Sequence, residues 1–209
     1  MDLERPFTVI TPTADGDALA VLAGAEKGFT AAEVRSVAGR RSIEGMRRAL
    51  KRLEAQGIVV ASRAGNTTVY QLNRAHLAAA SVLAIADLKR ELIERTRSLI
   101  GAWETPCAFA AMFGSAARGA MVPESDVDLL VVRPSAVGAD DEGWAAQTDG
   151  LRATVSRWTG NDVRVLELCT EDIAVEASKA RSVLHDVRRE GIWLGGRRSY
   201  LTEHLATSS

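Results

Sequence analysis

A chain of 209 residues has room for one large domain or two small ones, at ~100–200 residues each. Hydrophobic residues make up 46% and charged residues 25%, which excludes wholesale disorder. The net charge of −1 excludes a uniformly basic nucleic-acid coat, and an aromatic content of 5% leaves the core to Ala, Val, Leu and Ile. The charge is unevenly spread. Residues 40–74 carry eight Lys/Arg against Glu44 and Glu54, whereas residues 101–209 carry eleven Lys/Arg against sixteen Asp/Glu. A basic front and an acidic back point to two jobs.

The opening MDLERPF has two acids and no apolar run behind it, so no secretory signal is expected. The most apolar stretch, LAAASVLAIA at 77–86, is half of the ~20 residues a membrane helix needs. Cys107 and Cys169 sit in apolar segments and are expected as small core residues. His76, His185 and His204 are scattered, so neither a disulfide framework nor a zinc site is expected. These features place the chain in the cytoplasm, away from membranes.

In chain order, Asp15–Leu22 is expected as a short helix, punctuated by Gly24 and Gly28. Thr30-Ala-Ala-Glu33 has the spacing of a capping box opening a helix to about Ala38. Gly39-Arg40-Arg41 reads as a tight turn and Ser42 as the next N-cap. Ile43, Met46, Leu50 and Leu53 then share one helix face, stopped at Gly57. Arg47, Arg48, Lys51 and Arg52 lie off that apolar stripe and point outward. After Gly57 the period changes to 2. Ile58–Arg63 and Thr67–Leu72 read as strands joined by Ala64-Gly65-Asn66.

Helix, helix, basic helix and hairpin is the order of a winged helix-turn-helix. Residues 14–75 resemble the ArsR-like winged-helix family, chiefly through LKRLEAQGIVVASRAGNTTVYQLN. The resemblance implies a recognition helix running into a wing. An exposed basic helix suits the major groove of double-stranded DNA, with Arg47, Arg48, Lys51 and Arg52 as contacts and Arg63 at the wing tip. A solvated basic helix used for protein contacts is the alternative.

Residues 75–101 lack proline and internal glycine, and Leu77, Val82, Ile85, Leu88, Leu92, Ile93 and Leu99 form a broken helical stripe. One long helix is expected, or two joined near Ala86. It serves either as a link packed on the second domain or as a homodimer helix, since winged-helix proteins pair to match paired DNA half-sites.

The chemistry concentrates in residues 106–134. The apolar strand Pro106–Phe113 runs into Gly114-Ser115-Ala-Ala-Arg118-Gly119, and Ser125-Asp126-Val127-Asp128-Leu129 opens a second apolar strand. Read as FGS…SDVDLL, this resembles the DNA polymerase β-like nucleotidyltransferase superfamily, in its minimal and kanamycin-type members, over roughly residues 88–196. Asp126 and Asp128, two apart on a strand, face the same side and repel unless a cation lies between them. Mg²⁺ meets that need, with the phosphates of an NTP completing its octahedron; two such ions could clamp both oxygens of a phosphoryl transfer. Gly114 would let a phosphate approach the backbone, and Ser115 offers a hydroxyl and an N–H at a helix start. Arg118 would steady the loop or reach a phosphate.

Downstream, 141–158 reads as a helix stopped at Gly160, Asp162–Leu168 as a third strand, Glu171-Asp172 as the opening of a helix, and Gly191–Gly196 as a closing strand or turn. Residues 197–209 read as a polar tail, partly disordered. The resemblance implies a third acid on the later strand. Counted from Gly160, that position is Arg164, with Asp162 and Glu167 nearby, so the general base is unassigned. Arg164 remains a candidate phosphate ligand.

The expected fold class is thus α+β in two domains: a winged helix-turn-helix at 1–75, a helical connector at 76–101, and a nucleotidyltransferase fold with a mixed β-sheet at 102–196, before the tail at 197–209. Three functions remain open. The chain transfers a nucleoside monophosphate from an NTP to the hydroxyl of a protein, RNA or small-molecule acceptor. Alternatively, it is a winged-helix regulator whose transferase fold binds nucleotide with weak or no turnover. The third is an antitoxin-like role that silences a partner by nucleotidylation.

Overall fold

The computed structural model describes residues 1–39, 41–179 and 182–206, and side-chain caps from Thr30, Ser42, Asp141 and Ser182 open four of its helices. The chain divides into two compact units, one of Glu4–Lys89 with Asp2, the other running from Arg90 onward with Met1 and Leu3.

The N-terminal unit begins with a 3₁₀ turn at Pro6–Val9, then α1 (Ala14–Ala23), β1 (Phe29–Thr30) and α2 (Ala31–Ala38). The capping box is made in both directions: the Glu33 N–H donates to Thr30 Oγ1 at 3.2 Å, and the Thr30 N–H to Glu33 Oε2 at 2.7 Å. α2 ends at Gly39, whose φ of 75° is the left-handed cap; Arg40, in the expected turn, lies outside the described residues. α3 (Ile43–Ala55) is capped by Ser42, whose hydroxyl accepts from the Gly45 N–H at 3.0 Å. Met46, Ala49, Leu50 and Leu53 of α3 are buried, while Ile43 is half-buried. β2 (Val59–Ala64) and β3 (Thr67–Leu72) form an antiparallel hairpin whose last pair, Ala64 and Thr67, leaves Gly65-Asn66 as the turn. The two-residue β1, too short to show any alternation, pairs with β3 and gives the order β1-β3-β2.

Of the two arrangements expected for the connector, the structure has the pair of helices joined near Ala86: it breaks at Asp87 into α4 (Ala79–Ala86) and α5 (Leu88–Gly101). Ala79 and Val82 of α4 belong to the core of the first unit, while Leu92 and Ile100 of α5 belong to that of the second. The boundary between units falls at Lys89/Arg90. Leu77, expected on the apolar stripe, precedes α4 and is fully exposed.

In the second unit β4 (Phe109–Phe113) leads through α6 (Gly114–Arg118) to β5 (Val127–Arg133). α7 (Glu142–Thr159), capped by Asp141 and stopped by Gly160 at φ 69°, crosses over to β6 (Val163–Cys169), which runs parallel to β5. After α8 (Ile173–Ala177) and α9 (Val183–Glu190), β7 (Ile192–Gly196) pairs antiparallel with β4. The sheet order is β6-β5-β4-β7. Alternation along β5 splits the core: Val127, Leu129 and Val131 face the cluster of Trp144, Leu151 and Val155, while Leu130 and Val132 face Ile173, Leu184 and Val187.

The expected polar tail is corrected in part. Residues 200–206 form α10 (Tyr200–Ala206), and Tyr200, Leu201 and Leu205 are buried in the second cluster, Tyr200 stacking on Phe109 at 6.3 Å. Residues 207–209 lie outside the described residues. Cys107 is buried, which pushes its thiol pKa up to about 11. Cys169, also expected in the core, is only half-buried at the end of β6. Among the described residues no helix is long and apolar enough to cross a membrane.

Candidate functional site

β4 ends at a turn that only glycine can make here. Gly114 has φ 70°, and a Cβ on it would collide with Oδ2 of Asp128. The Asp128 carboxylate stands where that Cβ would be, so the glycine lets the acid close against the turn. Antiparallel pairing of Phe113 with Asp128 brings the two halves of the Gly-Ser…Asp-x-Asp motif together. Ser115 is half-buried in the first turn of α6. Five residues are too few to sum a helix dipole of useful size, so Ser115 contributes its own polar atoms rather than a macrodipole.

The loop from Gly119 to Asp126 is held from below. Ser125 N–H donates to Val122 O at 2.9 Å, and Val122 N–H to Ser125 Oγ at 3.1 Å. The side-chain amide of Asn161, 4% exposed, donates to both Pro123 O and Ser125 O at 2.9 Å. Asn161 reaches them because Gly160 reverses the chain at the end of α7. The sequence marks Thr159-Gly160-Asn161 as a helix stop, and no local pattern connects Asn161 to a loop 36 residues earlier.

Asp126 immediately precedes β5, and Asp128 lies within it, beside Arg164 of β6 in register. Arg164 Nη2 meets Asp126 Oδ2 at 2.6 Å. Burial is the main force on Asp128 and lifts its pKa above the usual carboxylate range. Arg164 pulls the other way, the Asp126 charge adds to the rise, and Arg118 opposes it. The four charges therefore sense one another.

Of the other expected site residues, Arg118 is committed elsewhere: its Nη1 meets Glu190 Oε1 at 2.9 Å, bracing α6 against α9. Glu190, the partner that sequence reading missed, lies 72 residues away. Glu167 pairs with Arg133 at 2.8 Å, further along the strands, and is removed as a nearby base. Asp162 is exposed just before β6. Among the described residues, no three acid, histidine or cysteine side chains converge as a metal cage. Two carboxylates nevertheless suit a Mg²⁺ that arrives with a nucleotide, because that ion takes one or two carboxylates and completes its shell with phosphates and water.

In the N-terminal unit Arg47, Arg48 and Lys51 line a cleft of about 620 Å³ with Thr30, Asn66 and Thr68. Arg47 is 3.7 Å from Glu44. Arg52, expected among these contacts, instead forms a two-pronged pair with Asp15 of α1, at 3.0 and 2.6 Å. Arg63 is exposed on β2, opposite Thr68.

Residues 89–186 match the family model described as Nucleotidyltransferase domain. That match falls on the second unit, apart from Lys89. Over 125 residues the chain is 30% identical to the bifunctional uridylyltransferase/uridylyl-removing enzymes of Bordetella avium (strain 197N) and Bordetella pertussis (strain Tohama I). That stretch covers 57% of this chain but 13% of either relative, so the chain spans a small part of the curated relatives it matches. Two solved structures are similar over 56% of this chain and 82% of theirs. One is a crystal structure of a toxin-antitoxin with AMP-PNP (16% identity, TM-score 0.39), the other of a mutant toxin-antitoxin MntA-HpeT (14% identity, TM-score 0.40).

Proposed function

We propose that the nucleotidyltransferase domain binds a nucleoside triphosphate with Mg²⁺ at Gly114, Ser115, Asp126 and Asp128, and that its chemistry is transfer of the nucleoside monophosphate to an acceptor hydroxyl. The observation that carries this reading is the seating of Asp128 against Gly114, which joins the Gly-Ser turn to the paired acids. Asp126 and Asp128 would hold the ion, which supplies positive charge to offset the triphosphate. Ser115 offers its hydroxyl to a phosphate oxygen. Asn161 fixes the loop that presents Asp126. In the transfer, the acceptor oxygen bonds to the α-phosphorus, the bond to pyrophosphate breaks, and the hydroxyl proton passes to a base. A positioned base is worth ~10²–10⁴-fold in rate, and Arg164 cannot be one.

A second reading is favoured by the Arg164–Asp126 pair. It makes the chain a DNA-binding regulator whose N-terminal unit is a winged helix, with nucleotide bound and turnover weak or absent. An antitoxin-like role by nucleotidylation needs transfer to a partner and so goes with the first reading. The N-terminal unit contributes the exposed Arg47, Arg48 and Lys51 beside the α3–β3 cleft, a surface suited to phosphates of double-stranded DNA. The experiment pairs calorimetry of NTP·Mg²⁺ with a label-transfer assay using each labelled NTP. Asp126→Asn with Asp128→Asn should abolish metal-dependent nucleotide binding while the protein stays folded. Equal affinity in that variant overturns the site. Label appearing on an acceptor selects the enzymatic reading, and binding without transfer selects the regulatory one.

A further inference from the structure

We infer that a second cleft of the C-terminal unit, between α9, β7 and α10, is a binding site for a phosphate group, independent of metal. The cleft has a volume of about 210 Å³ and a floor formed by Val187 and Leu201. Arg188, Arg198 and Thr202 supply its polar groups, Trp193 also lines it, and among the described residues no carboxylate does. Among the described residues Arg188 and Arg198 have no hydrogen-bond or ion-pair partner, although both are exposed. That sets them apart in this unit. The other described arginines from Arg95 onward each meet an acid, except Arg157, which reaches a threonine hydroxyl.

The indole nitrogen of Trp193, a residue that lines the cleft, is itself buried and has no hydrogen-bond partner among the described residues. What the cleft presents is two unpaired guanidiniums, and among the described residues no acid lines it to balance them. The complementary ligand is rich in acceptors and negative, which is the chemistry of a phosphate group: guanidinium forks match its oxygens two at a time. The cleft is separate from the paired acids, yet Gly191 on its wall directly follows Glu190, the partner of Arg118 on α6.

Two sources share this chemistry, a free phosphate or pyrophosphate and the terminal phosphate of an oligonucleotide. The test titrates the full chain in EDTA with inorganic phosphate, pyrophosphate, and a dinucleotide with and without a 5′-phosphate, read by calorimetry and tryptophan fluorescence. Binding of at least one phosphate probe is expected, weakened about tenfold or more for each guanidinium removed in Arg188→Gln and Arg198→Gln. Arg188→Lys with Arg198→Lys should retain part of the affinity, and Trp193→Phe should remove the fluorescence response. A preference for the 5′-phosphorylated dinucleotide over free phosphate assigns the oligonucleotide end; the reverse assigns the free anion. Failure of every probe to bind at millimolar concentration overturns the inference. So does affinity unchanged in the folded double Gln variant, or affinity lost in Asp126→Asn/Asp128→Asn, which would place the phosphate at the other site.

Discussion

The guanidinium of Arg164 meets the carboxylate of Asp126 at 2.6 Å from the strand position directly beside Asp128. A cation that the chain itself supplies therefore neutralises one of the two acids expected to bind Mg²⁺. The pair is weak, because the Arg164 side chain is 76% exposed. Exposed pairs of this kind are worth ~0.2–1 kcal/mol. Arg164→Ala should then tighten Mn²⁺ or Mg²⁺ binding by at most about fivefold. Arg164→Asp adds a carboxylate as well as removing the competitor, and should tighten it by about tenfold or more. Metal titration in the presence of nucleotide measures both. If Arg164→Asp leaves metal affinity unchanged, the side chain has no part in the site.

Gly114→Ala tests the turn. The substitution pays ~1–2 kcal/mol for a left-handed backbone, and its methyl group would also displace the Asp128 carboxylate. Gly160, at φ 69°, has open space where a Cβ would stand. Gly160→Ala therefore pays the backbone cost alone and serves as the control. Thermal denaturation should show the larger loss for Gly114→Ala, and nucleotide binding should fail in that variant only. Equal losses would mean that Asp128 moves aside freely.

Much of the fold was legible because its signals are local. Thr30 with Glu33, Ser42, Gly57 and Gly160 mark helix ends within four residues of the groups they serve. The meeting of Gly114 with Asp128 was legible as a motif, but not the reason for the glycine, which is a collision across two strands. What escaped depends on distant partners. Arg52 looks like any other exposed base on α3 until Asp15, 37 residues earlier, is folded against it. Tyr200, Leu201 and Leu205 stand among polar residues, and their burial is decided by Phe109 and Leu130 on the sheet. The placement of α4 and α5 in different cores is likewise a tertiary choice that a continuous helical pattern does not express.

The Arg52–Asp15 pair changes the expected DNA footprint. Replacing Arg47, Arg48 and Lys51 together by Ala should weaken DNA binding and flatten its salt dependence, each lost phosphate contact lowering the log–log slope by ~0.9. Arg52→Ala should affect DNA far less, and should lower stability at neutral pH while leaving it nearly unchanged in strong acid. Hydrogen bonds from Arg52 hold the Asp15 pKa below the usual carboxylate range, so their contribution is complete above the unfolded-state value and is lost as pH falls through the depressed one. Acid denaturation of Arg52→Ala should show a shallower limb than the parent protein. A large loss of DNA affinity in Arg52→Ala would show that the pair opens to let the guanidinium reach phosphate.

Asn161 separates loop positioning from simple packing. Its amide donates to the carbonyls of Pro123 and Ser125, directly ahead of Asp126. Asn161→Ala leaves both carbonyls without these donors, a cost of ~1–3 kcal/mol for a buried polar group that loses its partner. Asn161→Asp is expected to be worse, because an ionised carboxylate cannot donate and would face carbonyl oxygens instead. Thermal denaturation should therefore rank the native protein above Asn161→Ala and Asn161→Asp lowest. With the domain still folded at low temperature, NTP·Mg²⁺ affinity should fall in Asn161→Ala while thermal stability stays high enough to work with, since the loop that carries Asp126 is released. Affinity that survives the substitution unchanged would show that β5 alone holds Asp126 in place.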